Sequence, residues 1–371
     1  MTNIKLFLKR DMLFAVSGLL AVIACLVGRL SLNFIDFHVI LTLLGLMAVI
    51  KVLERLGVLD YFAEKIIQIS HTNRSLIRNL AFLAFFSSMI LTNDIAILTL
   101  LPVFLKIVQK TPQFKEKIIG TTLIIIAANL GSSCLPFGNP QNLYLFAYYQ
   151  MSFGDFLVLL LPFFGLSIVA LLVACQFIPN KQLEVVPQER RAIERKNLVL
   201  PTVAMIVMIL SVLHLFPYQV AVILAILAAF FSDREALKEV DYRLLGTFVF
   251  FFLIVGNLGE VSGFVTMIRR MLGSFTSVMF SSALISQVIS NVPAALLLAP
   301  FTQEAHALVL GVNIGGLGTL IASLANLIGY KVFAVYFVKE KKQLVKTFTI
   351  INGIFLVIFL VFFYGLQLIG G

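Results

Sequence analysis

The chain has 371 residues, 60% of them hydrophobic and only 12% charged, with a mean hydropathy of +1.03. An ordinary soluble domain is about 45–50% apolar. Apolar runs near span length recur here from one end to the other, so the bilayer is the solvent. A soluble enzyme, a secreted disulfide scaffold and a disordered chain are thereby excluded. The net charge of +10 would suggest nucleic acid in a soluble protein. Here 25 of the 28 Lys and Arg fall in residues 5–10, 51–78, 106–117, 181–196, 234–243 and 331–346. Placing those six segments in the cytoplasm satisfies the positive-inside rule, so the basic balance is topology and no nucleic-acid partner is expected.

In chain order, the basic start is followed by an apolar run with no small-residue cleavage site, which predicts a retained first span at 12–27 rather than a signal peptide. A second span is predicted at 39–53 and a helix on the cytoplasmic surface over 54–79. Residues 80–108 are apolar, flanked by basic segments on both sides, and interrupted by Thr92-Asn93-Asp94. Each half, about 14 residues, is too short to cross alone, so a hairpin that enters and leaves on the cytoplasmic side is predicted. Residues 118–150 break at 131–142, where two Gly, two Pro and two Asn end a continuous helix. Tyr148 and Tyr149 are expected at the outer interface, and a span returns at 154–178. The polar stretch 179–197 divides a first half, 1–178, from a second, 198–371. Spans follow at 198–215, 218–232 and 244–258. A second interrupted segment, 274–304, breaks at Ser290-Asn291-Val292-Pro293; a second Gly-rich break lies within 307–338, and the last span is 347–368. Cys25, Cys134 and Cys175 lack paired spacing, so neither a disulfide framework nor a metal cluster is expected.

The halves resemble each other. Asn93 precedes Pro102 by nine residues, as Asn291 precedes Pro300. Asn129 and Asn142 are thirteen apart, as are Asn313 and Asn326. The distance from hairpin Asn to break Asn differs, 36 against 22, and a match of Glu54-x-x-Gly57 to Glu260-x-x-Gly263 is weaker. Charge topology opens the first hairpin inward and the second outward. The predicted fold is therefore an all-α polytopic membrane protein of two inverted repeats, each with a re-entrant helical hairpin and a broken transmembrane helix, an arrangement found in secondary transporters.

Broken helices expose N-termini that suit anions and carbonyls that suit cations. Asn93 and Asn291 can cap the following half-helix, hydrogen-bond a substrate, or do both. Asp94, matched by Val292 in the other half, is either a proton or cation carrier or a capping residue in a wet vestibule. Ser132, Ser133, Asn139, Thr319 and Ser323 offer neutral oxygens beside unwound carbonyls; they either hold a cation such as sodium or satisfy the freed backbone. Glu54, Glu260 and the four His are expected near interfaces. No phosphate-binding loop or His-Glu-x-x-His helix is present, so an enzyme is not expected and transport must draw on an ion gradient.

Thr92-Asn-Asp-Ile-Ala-Ile-Leu-Thr-Leu-Leu-Pro102, Pro136-Phe-Gly-Asn-Pro-Gln-Asn142, Ser290-Asn-Val-Pro293, Gly315-Gly-Leu-Gly-Thr319 and Ser323-Leu-Ala-Asn326 resemble the ion transporter superfamily. That group includes arsenite pumps, NhaD-type sodium/proton antiporters, citrate transporters and divalent anion/sodium symporters. The likeness covers nearly the whole chain and is nearest to bacterial citrate-transporter-like permeases. It implies a homodimer in the cytoplasmic membrane, with a transport domain moving against a scaffold. Substrate would meet the tips Thr92, Asn93, Asp94 and Ser290, Asn291, Val292. Coupling cations would sit between each tip and its break, at Asn93, Asn129, Gly131, Ser132, Ser133, Gly138, Asn139 and Asn142, and at Asn291, Asn313, Gly315, Gly318, Thr319, Ser323 and Asn326. The dicarboxylate symporters carry Ser-Asn-Thr at both tips; Asn-Asp at the first tip here is closer to the arsenite pumps. The expected function is secondary transport of a small anion, an inorganic oxyanion or carboxylate, driven by sodium or protons and without a bound cofactor. The alternative is metalloid efflux or sodium/proton antiport through Asp94.

Overall fold

The computed structural model describes residues 12–111, 114–183 and 195–370, and its described elements are helices apart from one isolated antiparallel bridge. The basic start 5–10 and most of the linker 179–197 lie outside the described residues.

Helix α1, Met12–Val27, leads into α2, Phe37–Arg55, whose first turn is capped by Asp36 accepting from the Val39 amide at 3.1 Å. The helix expected over 54–79 is interrupted. Gly57, at φ 72°, turns the chain into α3, Val58–Gln68. Thr72 then starts α4, Asn73–Leu91, through a reciprocal capping box with Ser75. That cap corrects the hairpin arms: α4 has 19 residues and α5, Asn93–Lys110, has 18, rather than about 14 each. Arg74 at the base of α4 donates to the Ile178 carbonyl at 2.8 Å, tying this end of the helix to the chain just after α8. Next come α6, Lys117–Ser132; α7, Pro140–Tyr148; and α8, Phe153–Gln176. Lys181 and Leu183 bond through their backbones to Asn73 and His71, tying the start of the linker to the start of α4.

The second half runs α9, Val199–Val212; α10, Tyr218–Ser232; α11, Arg234–Lys238; and α12, Tyr242–Leu258. It continues as α13, Ser262–Met271; α14, Phe275–Ile289; α15, Asn291–Leu298; α16, Ala305–Gly315; α17, Leu324–Tyr336; and α18, Lys341–Gly370. From α2 to α8 and from α12 to α18 the elements recur in one order, and α14 opens with the same capping box, Ser274 with Ser277. The unequal 36 and 22 spacings have a simple origin. Helix α5 continues through Pro102, whereas α15 ends at a 3-10 turn holding Pro300. Glu54, in the last turn of α2, pairs with Lys51, and Glu260, just after α12, pairs with Arg29.

Among the described residues four helical segments are long and apolar enough to cross a membrane: α2, α4, α8 and the segment Val338–Ile369 that contains α18. The pair Arg234–Leu258 and Ser262–Met271, bent by 103°, would make a fifth. Helices α1, α9 and α10 are apolar but have only 16, 14 and 15 residues. Leu19, Val158, Leu161, Val203, Ile223 and Val361 on the outer faces are exposed, which water would penalise and lipid does not. This is a multi-pass membrane protein.

Helix α4 lies along α6, and α14 along α16; α2 packs on α10, and α1 on α12. The two halves also interlock, with α17 on α5 and α15 on α7. On the flank holding the α2 C-terminus, Arg55 bonds Asp233 (2.5 Å) and Glu239. The Arg55 hydrogen bond holds the Asp233 carboxyl below its ordinary range, so this clamp is intact at neutral pH and is lost as pH falls through that lowered value. Tyr149 donates to the Ala299 and Thr302 carbonyls at 3.0 and 3.1 Å, while Tyr148 is exposed.

Close approach of α4 to α6 depends on Gly131, where a Cβ would collide with the Phe85 carbonyl oxygen. Backbone cannot yield as a side-chain tip can, so Gly131→Ala should separate the two helices at a cost of about 1–3 kcal/mol or more. The variant should melt well below the wild type in detergent. Gly353→Ala in α18, with nothing within 4 Å of its Cβ, should melt at or slightly above it.

Candidate functional site

The junctions α4–α5 and α14–α15 each turn on one residue. Thr92 (φ 69°, ψ 155°) and Ser290 (φ 77°, ψ 153°) occupy a backbone region that only Gly enters freely. Such strain costs about 1–3 kcal/mol and persists only where the surroundings enforce it. The next residue begins a helix, and its side chain caps it: Asn93 Oδ1 accepts from the Asp94 amide and Asn291 Oδ1 from the Val292 amide, both at 3.0 Å.

The thirteen-residue asparagine pairs lie behind the tips and join across the halves. Asn129 Nδ2 donates to Asn326 Oδ1 at 2.6 Å, and Asn313 Nδ2 donates to Asn142 Oδ1 at 2.6 Å. Asn326 also donates to the Gly316 and Thr319 carbonyls, and Asn142 to those of Ser133 and Leu135, so each closes its own break. Asn129 Oδ1 accepts from Asn93 Nδ2 and from Ser323 Oγ, both at 3.0 Å. Asn313 Oδ1 accepts from Asn139 Nδ2 at 3.3 Å. The second tip is held differently, by its backbone: the Asn291 amide donates to the Ala322 carbonyl at 2.9 Å.

Between the tips is a void of about 30 Å³ bordered by Asn93, Asp94, Ser290, Asn291, Val292 and Ser323. Gln141 and Thr247 also reach it. Four helices begin at this point: α5 at Asn93, α7 at Pro140, α15 at Asn291 and α17 at Leu324. Each presents the positive end of its dipole, although in α15 the Asn291 amide is already bonded to the Ala322 carbonyl, the Val292 amide to Asn291 Oδ1 and the Ala294 amide to the Ser290 carbonyl, and Pro293 has no N–H. Among the described residues no Lys or Arg borders the void, and Asp94 is the one charged residue that does. Asp94 also borders a wider cavity of about 510 Å³, with Thr92, Asn139 and Lys51, whose rim holds Glu239, Asp241 and Arg243.

The tips and the break residues Asn129, Asn139, Asn142, Asn313, Ser323 and Asn326 are thus brought together. Ser132 and Ser133 both donate to the Asn129 carbonyl, at 3.0 and 2.8 Å, satisfying the end of α6. Gly138 abuts the Ser132 carbonyl, and Gly315 faces Ser286, so these two make room for neighbouring groups. Sequence reasoning missed Gln141, Thr247 and Gln287. Gln287 carries a signal that was available: Ser286-Gln-Val-Ile-Ser290-Asn291 matches Ser88-Met-Ile-Leu-Thr92-Asn93, a polar residue in an apolar arm.

Residues 6–308 match the citrate transporter family CitMHS. The chain belongs to that family. It is 30% identical over 320 residues to an uncharacterized transporter of Methanocaldococcus jannaschii, covering 85% of this chain and 87% of that one. It is 30% identical over 306 residues to the inner membrane protein YbiR of Escherichia coli, covering 80% of each. The Na(+)/H(+) antiporter NhaD of Alkalimonas amylolytica is 26% identical over 338 residues, 78% of this chain and 69% of that one. In fold it is similar to the Alcanivorax borkumensis YdaH transporter, with a TM-score of 0.57 at 13% identity, covering 88% of this chain and 83% of that one. This CitMHS protein is therefore a secondary transporter of the ion transporter superfamily and not an enzyme.

Proposed function

We propose that this CitMHS protein carries a small anion, an inorganic oxyanion or a carboxylate, coupled to a sodium or proton gradient, and that the anion binds where the two tips meet. The observation that carries this reading is the convergence of four helix N-termini on a void that, among the described residues, no Lys or Arg borders. Each N-terminus is equivalent to roughly half a positive charge, and helix starts are ready-made anion sites. The repeating element order and the charge topology support two inverted repeats, 1–178 and 198–371 about the linker 179–197. In this reading 73–110 and 275–301 are the re-entrant hairpins, and α6–α7 and α16–α17 are the broken spans. The wider cavity has Lys51 and Arg243 on its rim, on the flank that the positive-inside rule places in the cytoplasm, so it is the inward vestibule.

One observation favours a second reading. Asp94 borders both the vestibule and the inner void, as a proton or cation carrier would, and one relative is named a Na(+)/H(+) antiporter. Metalloid efflux through the same residue belongs with this reading.

The test is the melting temperature of the purified protein with carboxylates, sulfate, phosphate, arsenate or arsenite, in sodium or choline, at two pH values. A ligand at 100 times its Kd stabilises the folded state by about 2.7 kcal/mol. A shift that needs one anion supports the first reading and identifies the substrate; a shift with sodium or pH alone supports the second. Asn291→Ala should weaken the anion-dependent shift, since loss of a hydrogen bond to a charged group costs about 1.5–3 kcal/mol, or roughly tenfold or more in affinity.

A further inference from the structure

The two halves contribute unlike groups to the void between the tips. By the match of Asn93 to Asn291, Asp94 of the first tip stands where the second has Val292. By the match of Asn142 to Asn326, Gln141 of the first break stands where the second has Ala325. All four border the void. The first half thus brings a carboxyl and a carboxamide where the second brings hydrocarbon. Pro293, Leu324, Leu13 and Leu244 add to the apolar part of the border.

The hydrogens left at the void limit what it can hold. Ser323 Oγ is committed to Asn129 Oδ1, and Thr247 Oγ1 to the Arg243 carbonyl at 2.9 Å. Asn93 Nδ2 gives one hydrogen to Asn129 Oδ1 and keeps the other. Asn291 is buried and its Oδ1 caps α15, but its Nδ2 has no hydrogen-bond partner among the described residues. Gln141 Nε2 and Ser290 Oγ are held only at 3.5 Å, by Asn313 Oδ1 and the Ala322 carbonyl. The first amides of α15 add nothing, being bonded already or, at Pro293, absent. The carboxamides of Asn93, Gln141 and Asn291 can therefore serve one carboxylate, which has about four acceptor sites. A second ionised group would be buried against carbon with no counter-charge, at a high cost.

We infer that the ligand is a monocarboxylate with a short apolar tail, its carboxylate held by the three carboxamides and its tail lying against Val292 and Ala325. The inference narrows, and rests on, the proposed binding of an anion between the tips. It makes Val292 and Ala325 the residues that set specificity. Asp94, Pro140 and Leu244 border the wider cavity as well as the void, so entry is from that side.

Propionate, glycolate and malonate test it, because they differ only in the group at the far end: a methyl, a hydroxyl or a second carboxylate. Their affinities for the purified full-length protein are read from the concentration dependence of its melting temperature. Ionic strength is held equal, and the pH is one at which malonate carries two charges. The wild type should bind propionate about tenfold or more tightly than glycolate, and malonate more weakly than either. Val292→Thr keeps the shape of the side chain and adds a hydroxyl, so it should narrow the propionate-to-glycolate ratio severalfold. Ala325→Ser should act in the same direction. Malonate binding as tightly as propionate would overturn the inference and leave the proposed anion site standing. So would stabilisation by sulfate or phosphate but by no monocarboxylate. A propionate-to-glycolate ratio unchanged in both variants would overturn the placing of the tail against the second half. If no anion of any kind shifts the melting temperature, the anion site itself fails and this inference with it. Should neither variant fold, the wild-type series alone decides.

Discussion

Asp94→Asn is expected to abolish the pH dependence of anion binding while leaving the fold intact. Among the described residues Asp94 is the only charged one at the void between the tips, and it occupies the first turn of α5. An ionised carboxylate there takes up the positive potential of the converging helix ends that an anion would otherwise use. Two unit charges about 6 Å apart at an effective dielectric of about 20 repel by about 3 kcal/mol, close to a hundredfold in affinity. The wild type should therefore bind anion most tightly when Asp94 is protonated and lose affinity as rising pH ionises it. The Asn variant is neutral and nearly the same shape, so its affinity should stay high and flat across the same range. Anion-dependent melting curves at a series of pH values would show this. The antiport reading predicts a different result, namely that the variant loses its response to sodium and pH together and gains nothing with anions.

The second large effect is expected at Asn129, whose carboxamide links the first tip to the second half. Its removal in Asn129→Ala would strip a partner from Asn93, Ser323 and Asn326 at once. Each buried polar group left unpaired costs about 1–3 kcal/mol, against a total stability of about 5–15 kcal/mol. A fall of several degrees in melting temperature and loss of transport are expected. Asn352 in α18 provides the contrast. It is fully buried, yet neither its Oδ1 nor its Nδ2 has a hydrogen-bond partner, so Asn352→Leu should melt at or above the wild type. Equal destabilisation by both substitutions would mean that the Asn129 bonds do not hold the tip.

These contrasts also divide what was legible in the residues from what was not. The tips were legible, because a polar Thr-Asn-Asp or Ser-Asn-Val between apolar runs is a local signal. The breaks were legible as Gly and Pro clusters, and the thirteen-residue spacing of the asparagines appeared in both halves. The start of α4 was misread because the Thr72 cap sits within a charged stretch whose apolar spacing resembles a surface helix. Gln287 was passed over, although it is a polar residue in an apolar arm, because all but one of the groups that its side chain bonds lie about thirty residues further on.

The sequence by itself determined that this is a membrane protein, where its helices break, and that its two halves share a plan, because hydropathy, capping and Gly or Pro chemistry act within a few residues of the chain. Only the tertiary structure decided what the breaks are bonded to. Asn129 meets Asn326 across 197 positions and Asn313 meets Asn142 across 171. The tips and the four helix ends converge only when the halves interlock. Hydrogen bonds are satisfied by whatever polar group folding brings within about 3 Å, and at membrane depth those partners come from protein because there is no water to supply them.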